Sequence, residues 1–531
     1  VPSRLVLSAT ELRFGGPRLN RVAGFHATDR QERRRRGSME RQPEQPLPEA
    51  QIDDGSSASS LAIGKGSVCQ QEDNSRDGIG GEYSGPELPE DIWCHTHSLM
   101  TLRDAARAAC LSHAFLRSWR CHPNLIFDHG ILCQLRHDLA STVNHIFENR
   151  SGIGVKTLKL DFSCYHEPKA YSYLHRWLRI AVTPGTEKLV VLSASDVAFN
   201  FPCSILSDGN GSTIQHLHLV DCGFHPTVSV VCMRSLTVLH LDHVGITGDE
   251  LGCLFSGCVA LEQLKLRRCS KITCLKIPSE MQRLSYLQVS VCHKLRMIKN
   301  EAPNSCSFDF LGDRIEISLG DSLRLKKLDV LCNNVLRYAR EEFPSSAPNL
   351  ENLSIFSCHE VANTAMAFVP SKFLHLKYLS ISIAVAYDYL SLVYFLDAAP
   401  SLETFKLCVL TGLGPTDKLL LEDRSQLRQM SGYCHHKLQT VKISRFCSSK
   451  SMVELTSHIL ENSVSLRCLT LDTTNCGFRC SGDRSTRCSC LVRPWEDDEA
   501  VLVIEKYIKG KVPSTVKLML WSHAASVMTF Y

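Results

Sequence analysis

The sequence predicts an α/β solenoid: a short helical unit, then a curved parallel sheet with helices or loops on its convex side. Three observations carry this. An apolar pattern of the form L-x-x-L-x-L recurs at short, nearly even steps between residues 187 and 407. The stretch from Leu88 to Arg120 holds three signposted helix starts in close succession. The 531 residues are 44% hydrophobic, enough for a large core, yet no apolar run approaches the ~20 residues that span a bilayer.

Residues 1–38 carry nine Arg against three acids, a charge of +6, so the remaining chain sums to −2 although the whole is +4. A nearly neutral body makes no case for a nucleic-acid or membrane partner. The run RQERRRRG reads either as part of a disordered leader, with Met39 an alternative start, or as a nuclear-import patch at Arg33 to Arg36. Residues 40–87 hold ten acids, three bases and Tyr83 as their one aromatic. Such a composition does not offset its ordering entropy, so 1–87 is expected to be disordered. The glycines at 78, 80 and 81 lack a preceding strand and do not make a phosphate loop.

The next stretch reads LPEDIWCHTHSLMTLRDAARAACLSHAFLRSWR. Pro89 suits a first helical position, and Glu90 with Asp91 places negative charge at the positive end of the helix dipole. Thr101 with Asp104 makes a second, capping-box-like start, and Ser112 caps a third. Ile92 with Leu99, Trp93 with Met100, and Leu102 with Ala106 and Ala109 fall at helical spacing. Thirty-odd residues do not bury that apolar surface alone, so the unit is expected to dock on something.

The ordered run Leu88-Pro89-Glu90-Asp91-Ile92, Leu99-Met100, Leu102-Arg103-Asp104, Cys110-Leu111-Ser112 and Trp119-Arg120 closely resembles the F-box. The resemblance implies residues 88–122 dock on a Skp-type adaptor and, through it, a cullin ubiquitin ligase. The adaptor-binding residues it implies are Leu88, Pro89, Ile92, Leu99, Met100, Leu102, Arg103, Asp104, Cys110, Leu111, Ser112 and Trp119. Thr96 departs from the pattern, standing where the family has an apolar residue; its hydroxyl is placed to bond back to a helix carbonyl, at a cost in burial on the order of 1 kcal/mol.

Residues 123–154 read as a helical linker, with Leu132, Leu135, Leu139, Val143 and Ile146 at helical spacing. Residues 155–434 are the repeats. Clear copies are Ile214-Leu217-Leu219, Leu236-Leu239-Leu241, Leu261-Leu264-Leu266, Leu284-Leu287-Val289, Leu325-Leu328-Val330, Leu350-Leu353-Ile355, Leu376-Leu379-Ile381 and Leu402-Phe405-Leu407. Degenerate copies start at Glu187 and Ser305, and wider-spaced copies follow Val155, Leu438 and Leu466. From 187 to 402 the steps are 27, 22, 25, 23, 21, 20, 25, 26 and 26 residues, all within the roughly 20–29-residue period of leucine-rich repeats. Each repeat is a strand whose alternating apolar residues fill a shared interior, so no repeat is stable alone. Three positions past the last apolar residue stand Cys222, Cys269, Cys292, Asn333 and Cys358, where the family turns Asn or Cys inward.

Residues 435–531 contain helical stretches at Met452 to Leu460 and Glu499 to Ile508, with Gly510 as a stop and Pro513 barring continuation. Through Tyr507-Ile508 and Lys511-Val512-Pro513-Ser514 this tail resembles the FBD region that accompanies F-boxes and leucine-rich repeats in plants, and it is expected to complete the solenoid. The three resemblances together imply a plant F-box/leucine-rich-repeat/FBD protein.

Its 25 cysteines are spread through a long chain without an export signal and read as reduced thiols, which places the protein in cytoplasm, nucleus or both. Cys476, Cys480, Cys488 and Cys490 lack the paired C-x-x-C spacing of a strong zinc signal, so no metal and no cofactor are expected. The zinc-protease, nucleophile-elbow and phosphate-loop motifs are absent from the sequence, and no enzyme is expected. The repeat phase sends His216, His218, His240, Asp242, Gln263, Lys265, Arg267 and Tyr286 to the concave face, a basic and His-rich candidate surface for an acidic target segment. Later copies contribute Ser354, Phe356, Tyr378 and Ser380. The function expected is target recognition for the ligase by a chain that is monomeric outside it. The alternatives are a ligase-independent scaffold with a degenerate F-box and a small-molecule sensor built on the repeats.

Overall fold

The computed structural model describes residues 89–111, 113–128, 139–150, 154–163, 168–196, 198–206, 209–227, 233–320, 324–360, 372–385, 387–410, 427–430, 433–473, 494–522 and 529–530. The segment 1–87, Leu88, Ser112, Leu132, Leu135 and the four cysteines from 476 to 490 lie outside them.

From residue 124 onward the described chain builds a 16-stranded sheet. Neighbours are parallel throughout, except that Thr529–Phe530 closes the end antiparallel to Lys517–Trp521. The register follows the repeat phase: Leu217, Leu239, Leu264, Leu287, Phe308, Leu328, Leu353, Leu379, Phe405, Val441, Leu469 and Leu518 align strand by strand. Each belongs to the one hydrophobic core. The side chains between them alternate to the opposite, open face, as a period of two requires. Burial of each aliphatic residue contributes about 1.5–3 kcal/mol, so the interior column is what holds successive strands together.

The copy expected at Glu187 is off by one. Strand Lys188–Leu192 pairs Leu189 with Leu217 and Val191 with Leu219, so the repeat starts at Thr186 and Val190 turns to the open face. A run of four apolar residues hides its own phase, because either alternate pair satisfies the pattern. The copy at Ser305 is in phase, with Phe308 against Leu287 and Phe310 against Val289.

Repeat length selects what returns the chain on the far side. Steps of 25 and 26 residues hold the helices Gly248–Gly257, Val335–Ser346 and Val393–Ala398. The 23-, 21- and 20-residue steps instead hold Cys274–Ile277, Met297–Asn300 and Glu316–Ser318, which form a second, three-stranded parallel sheet where helices or loops were expected. A strand covers the same span in fewer residues than a helix, since it advances roughly twice as far per residue.

The inward bend holds at Cys222, Cys269 and Cys292, all buried, but not at the other two positions. Asp221, Arg268 and Val291 precede the buried cysteines with positive φ of 55°, 53° and 57°, a left-handed bend that tips the following residue inward. No such residue follows strands Lys327–Leu331 and Asn352–Ser357 directly, and extended alternation carries on for one more residue. Cys332 and Ser357 are buried instead, while Asn333 is exposed and Cys358 half-buried.

The stretch taken as a helical linker also contributes the sheet's first strand, Asn124–Phe127, paired with Thr157–Asp161. Its helix, Leu139–Glu148, packs with Pro168–Ala181 over these strands through Phe127, Phe147, Trp177, Phe162 and Tyr171, with ring centroids 5.8–6.4 Å apart. Trp177 Nε1 donates to Asn144 Oδ1 at 2.7 Å, satisfying the polar edge of the largest buried side chain. At the other end, Lys450–Asn462 is a helix buried along its length, and Pro494–Val503 continues through a wider turn, Ile504–Ile508, before the last parallel strand.

Candidate functional site

Two surfaces stand out, one on the helices and one on the open face of the sheet. Helices α1 (Glu90–Ser98), α2 (Leu102–Ala109) and α3 (His113–Arg120) pack around Phe115, which meets Trp93 and His97 edge-on at 5.0 and 5.2 Å. Pro89 sits at the N-cap of α1, one position before the first helical residue. Thr101 caps α2: its hydroxyl accepts from the Asp104 amide at 3.2 Å and donates to the Asp104 carboxylate at 2.8 Å. Thr96 is half-buried and donates to the Ile92 carbonyl at 2.8 Å, so its hydroxyl is satisfied within its own helix.

The residues named for adaptor binding divide sharply. Ile92, Leu99, Met100 and Leu111 remain 43%, 75%, 38% and 79% exposed. Pro89, Arg103, Asp104 and Cys110 are also exposed. Leu102 is instead buried in the main core at 7% exposure, and Trp119 is half-buried. Leu102 therefore joins the helices to the solenoid. The residues that make this junction have no motif: Asn124 Nδ2 donates to the Ser98 carbonyl at 3.2 Å, and Arg150 to the His122 carbonyl at 2.7 Å. His97 and His122 are both 1% exposed, and burial lowers the pKa of each.

On the open face, register places the eight residues named for target binding on four consecutive strands of the sheet. His216, Gln263 and Tyr286 share the first column, His218, His240 and Lys265 the second, and Asp242 and Arg267 the third. His218 and His240 stack with centroids 4.0 Å apart and planes 7° apart. Lys265 Nζ lies 5.6 Å from the Tyr286 ring centroid, and Arg267 is 3.6 Å from Asp242.

Electrostatics changes what this patch offers. Burial, reinforced by neighbouring Lys and His, pushes His218 down to about 4 and His240 to about 3. Both rings are neutral near pH 7, and the positive charge comes from Lys159, Lys188, Lys265 and Arg267. Lys188 was missed because its repeat was phased one residue late. Also missed was the continuation of the face: Tyr286 donates to Asp309 Oδ2 at 2.5 Å, and Lys327 lies 2.7 Å from Asp329 and 3.9 Å from Asp309. The periodic positions between Phe308 and Phe310, and between Leu328 and Val330, carried that signal.

The stacked pair also predicts acid sensitivity. In the unfolded chain each ring protonates near 6.5, in the folded chain only near 4 or 3. The unfolded state therefore binds more protons as pH falls through this window, and stability falls with it. With a discount for partial exposure, each ring is expected to cost about 1 kcal/mol at pH 5 relative to pH 7. Urea midpoints at the two pH values measure this, and His218→Gln with His240→Gln should flatten the difference.

The family model described as "At1g61320/AtMIF1, LRR domain" matches residues 146–524. The F-box/FBD/LRR-repeat protein At3g26920 of Arabidopsis thaliana is 24% identical over 339 residues, 60% of this chain and 74% of that one. The FBD-associated F-box protein At1g66310 of the same plant is 24% identical over 452 residues, 79% and 95% of the two chains. Among solved structures, an internalin from Listeria monocytogenes covers 64% of this chain and 82% of its own at 12% identity, but its TM-score of 0.29 is too low to bear on the fold.

Proposed function

From the premise that this chain belongs to the plant family of F-box, FBD and leucine-rich-repeat proteins, we propose that it is the target-recognition subunit of a cullin ubiquitin ligase. The observation that carries the proposal is the helical unit of α1 to α3, which leaves Leu99 and Leu111 three-quarters exposed or more while Leu102 anchors it to the sheet. Exposed apolar residues on a firmly seated unit are what a docking surface requires. A Skp-type adaptor and, through it, a cullin are the proposed partners, in cytoplasm, nucleus or both.

The mechanism is proximity. The helices hold the ligase and the open face holds the target, so ubiquitin transfer takes place at a raised effective concentration, and this chain supplies no catalytic group. The test is co-purification of the full chain with a plant Skp-type adaptor and cullin. Capture of both supports the proposal; a folded chain that captures neither rejects it in favour of a ligase-independent scaffold.

The target surface is the Lys188, Lys265 and Arg267 patch, which suits an acidic segment. Lys265→Glu with Arg267→Glu is expected to weaken target capture about tenfold at low ionic strength, and less at high salt, since rim charges are screened. Unchanged capture of a target by the variant would place the contact elsewhere on the face.

A further inference from the structure

Away from both surfaces, in the far third of the solenoid, three side chains converge from separate elements. Asp397 lies on helix Val393–Ala398, His435 on the segment before strand Thr440–Ser444, and His458 on the buried helix Lys450–Asn462. One potential ligand atom from each lies within 4.8 Å of the other two. His435 and His458 are only 7% and 5% exposed, and Nε2 of each is buried without a hydrogen-bond partner.

Two orphaned ring nitrogens beside a carboxylate need a physical reason. A buried polar atom left unsatisfied costs about 1–3 kcal/mol; ring nitrogens of His97 and His122 are unsatisfied too, but only His435 and His458, among the described residues, converge with a carboxylate. The ring of His435 does not resolve the cost against Asp397, because Nε2 stands 3.7 Å from Oδ1, beyond hydrogen-bond reach.

We propose that Asp397, His435 and His458 form a binding site for a zinc-type divalent cation. Two imidazoles and one carboxylate are the donor set of borderline metals, not of calcium or magnesium, which take oxygen ligands. Bonds of about 2.0–2.2 Å set tetrahedral donors about 3.3 Å apart, so the trio closes by roughly 1.5 Å at most on loading. Three protein ligands leave the fourth position to water.

The surroundings already hold the ligands in place. The His435 amide donates to the Asn462 carbonyl at 2.8 Å, and the Tyr433 amide to Asp397 Oδ1 at 3.4 Å. The Asn462 side-chain nitrogen lies 3.3 Å from His458 Nδ1 and donates to the His458 carbonyl at 2.9 Å, so it favours the ring proton on Nε2, and metal binding at Nε2 would displace that proton. Lys372 near Asp397 disfavours a cation, and Glu461 near His458 favours one. The bound ion would staple three successive return segments of the solenoid, a structural role independent of ligase coupling.

The experiment titrates the full chain, stripped with chelator, with cobalt(II) chloride or zinc chloride alone. Expected is one cobalt equivalent with visible d–d bands and no sulfur-to-metal absorption, together with a higher melting temperature on loading with zinc. Asp397→Asn and His458→Gln should each weaken that equivalent at least tenfold. Asp397→Asn is nearly isosteric, so it keeps the test valid if the histidine variant misfolds, with circular dichroism checking the fold. Absence of a sulfur-free equivalent in the native chain, or an identical titration in the Asp397→Asn variant, would overturn the site; metal bound at the cysteines instead would announce itself by the sulfur band.

Discussion

Replacing Leu99 and Leu111 by Asp is expected to abolish capture of a Skp-type adaptor while leaving the fold intact. Both side chains are largely in water in the free chain, at 75% and 79% exposure, so the substitutions should change stability by no more than about 0.5 kcal/mol each. At an interface the same two changes remove apolar anchors and bury two charges, losses of about 2 kcal/mol or more apiece, which together weaken binding by roughly a thousandfold. Calorimetric titration against purified adaptor measures the loss of binding and thermal melting the change in stability. Leu102→Ala is the contrasting control. Buried at 7% in the main core, it should cost about 2–5 kcal/mol and weaken adaptor capture only by unseating the helices. Native affinity in the Leu99→Asp/Leu111→Asp chain would exclude these residues from the contact.

Arg428→Ala is expected to destabilise the C-terminal repeats by about 3 kcal/mol. Arg428 bonds Glu454 through its backbone amide at 2.7 Å and through Nε at 2.8 Å, while its two terminal nitrogens clasp Asp388 at 2.7 and 3.0 Å. The Glu454 side chain is wholly buried, so removal of the guanidinium leaves a carboxylate in the core that, among the described residues, keeps the amide bond alone. Because the cost lies in the buried carboxylate left without its exposed partner, adding Glu454→Gln to Arg428→Ala should restore part of the loss. Urea denaturation of the single and double variants decides this; a single variant as stable as the native chain would mean that the buried carboxylate is hydrated or neutralised.

The solenoid was legible because one physical requirement, a two-residue alternation buried against the neighbouring repeat, is written again in nearly every copy. Register failed only at Leu189 to Leu192, where four apolar residues in a row satisfy both phases. The bend cysteines were legible where a left-handed residue precedes them and not at Asn333 or Cys358, since backbone handedness at Asp221, Arg268 or Val291 is not declared by residue type. The division of the helical unit into seat and exposed surface was not legible either: Leu102 and Leu99 look alike in a motif, and only the neighbouring strand Asn124–Phe127 with its core distinguishes them.

By itself, then, the sequence determined the repeat architecture, the family resemblance and which side chains share the open face, because these follow from periodicity and local spacing. Tertiary structure decided what depends on contacts between distant residues: the neutral state of His218 and His240, the burial of Leu102, and the meeting of Asp397, His435 and His458 from three separate elements. Desolvation and long-range packing set these, and neither leaves a mark at any fixed spacing along the chain.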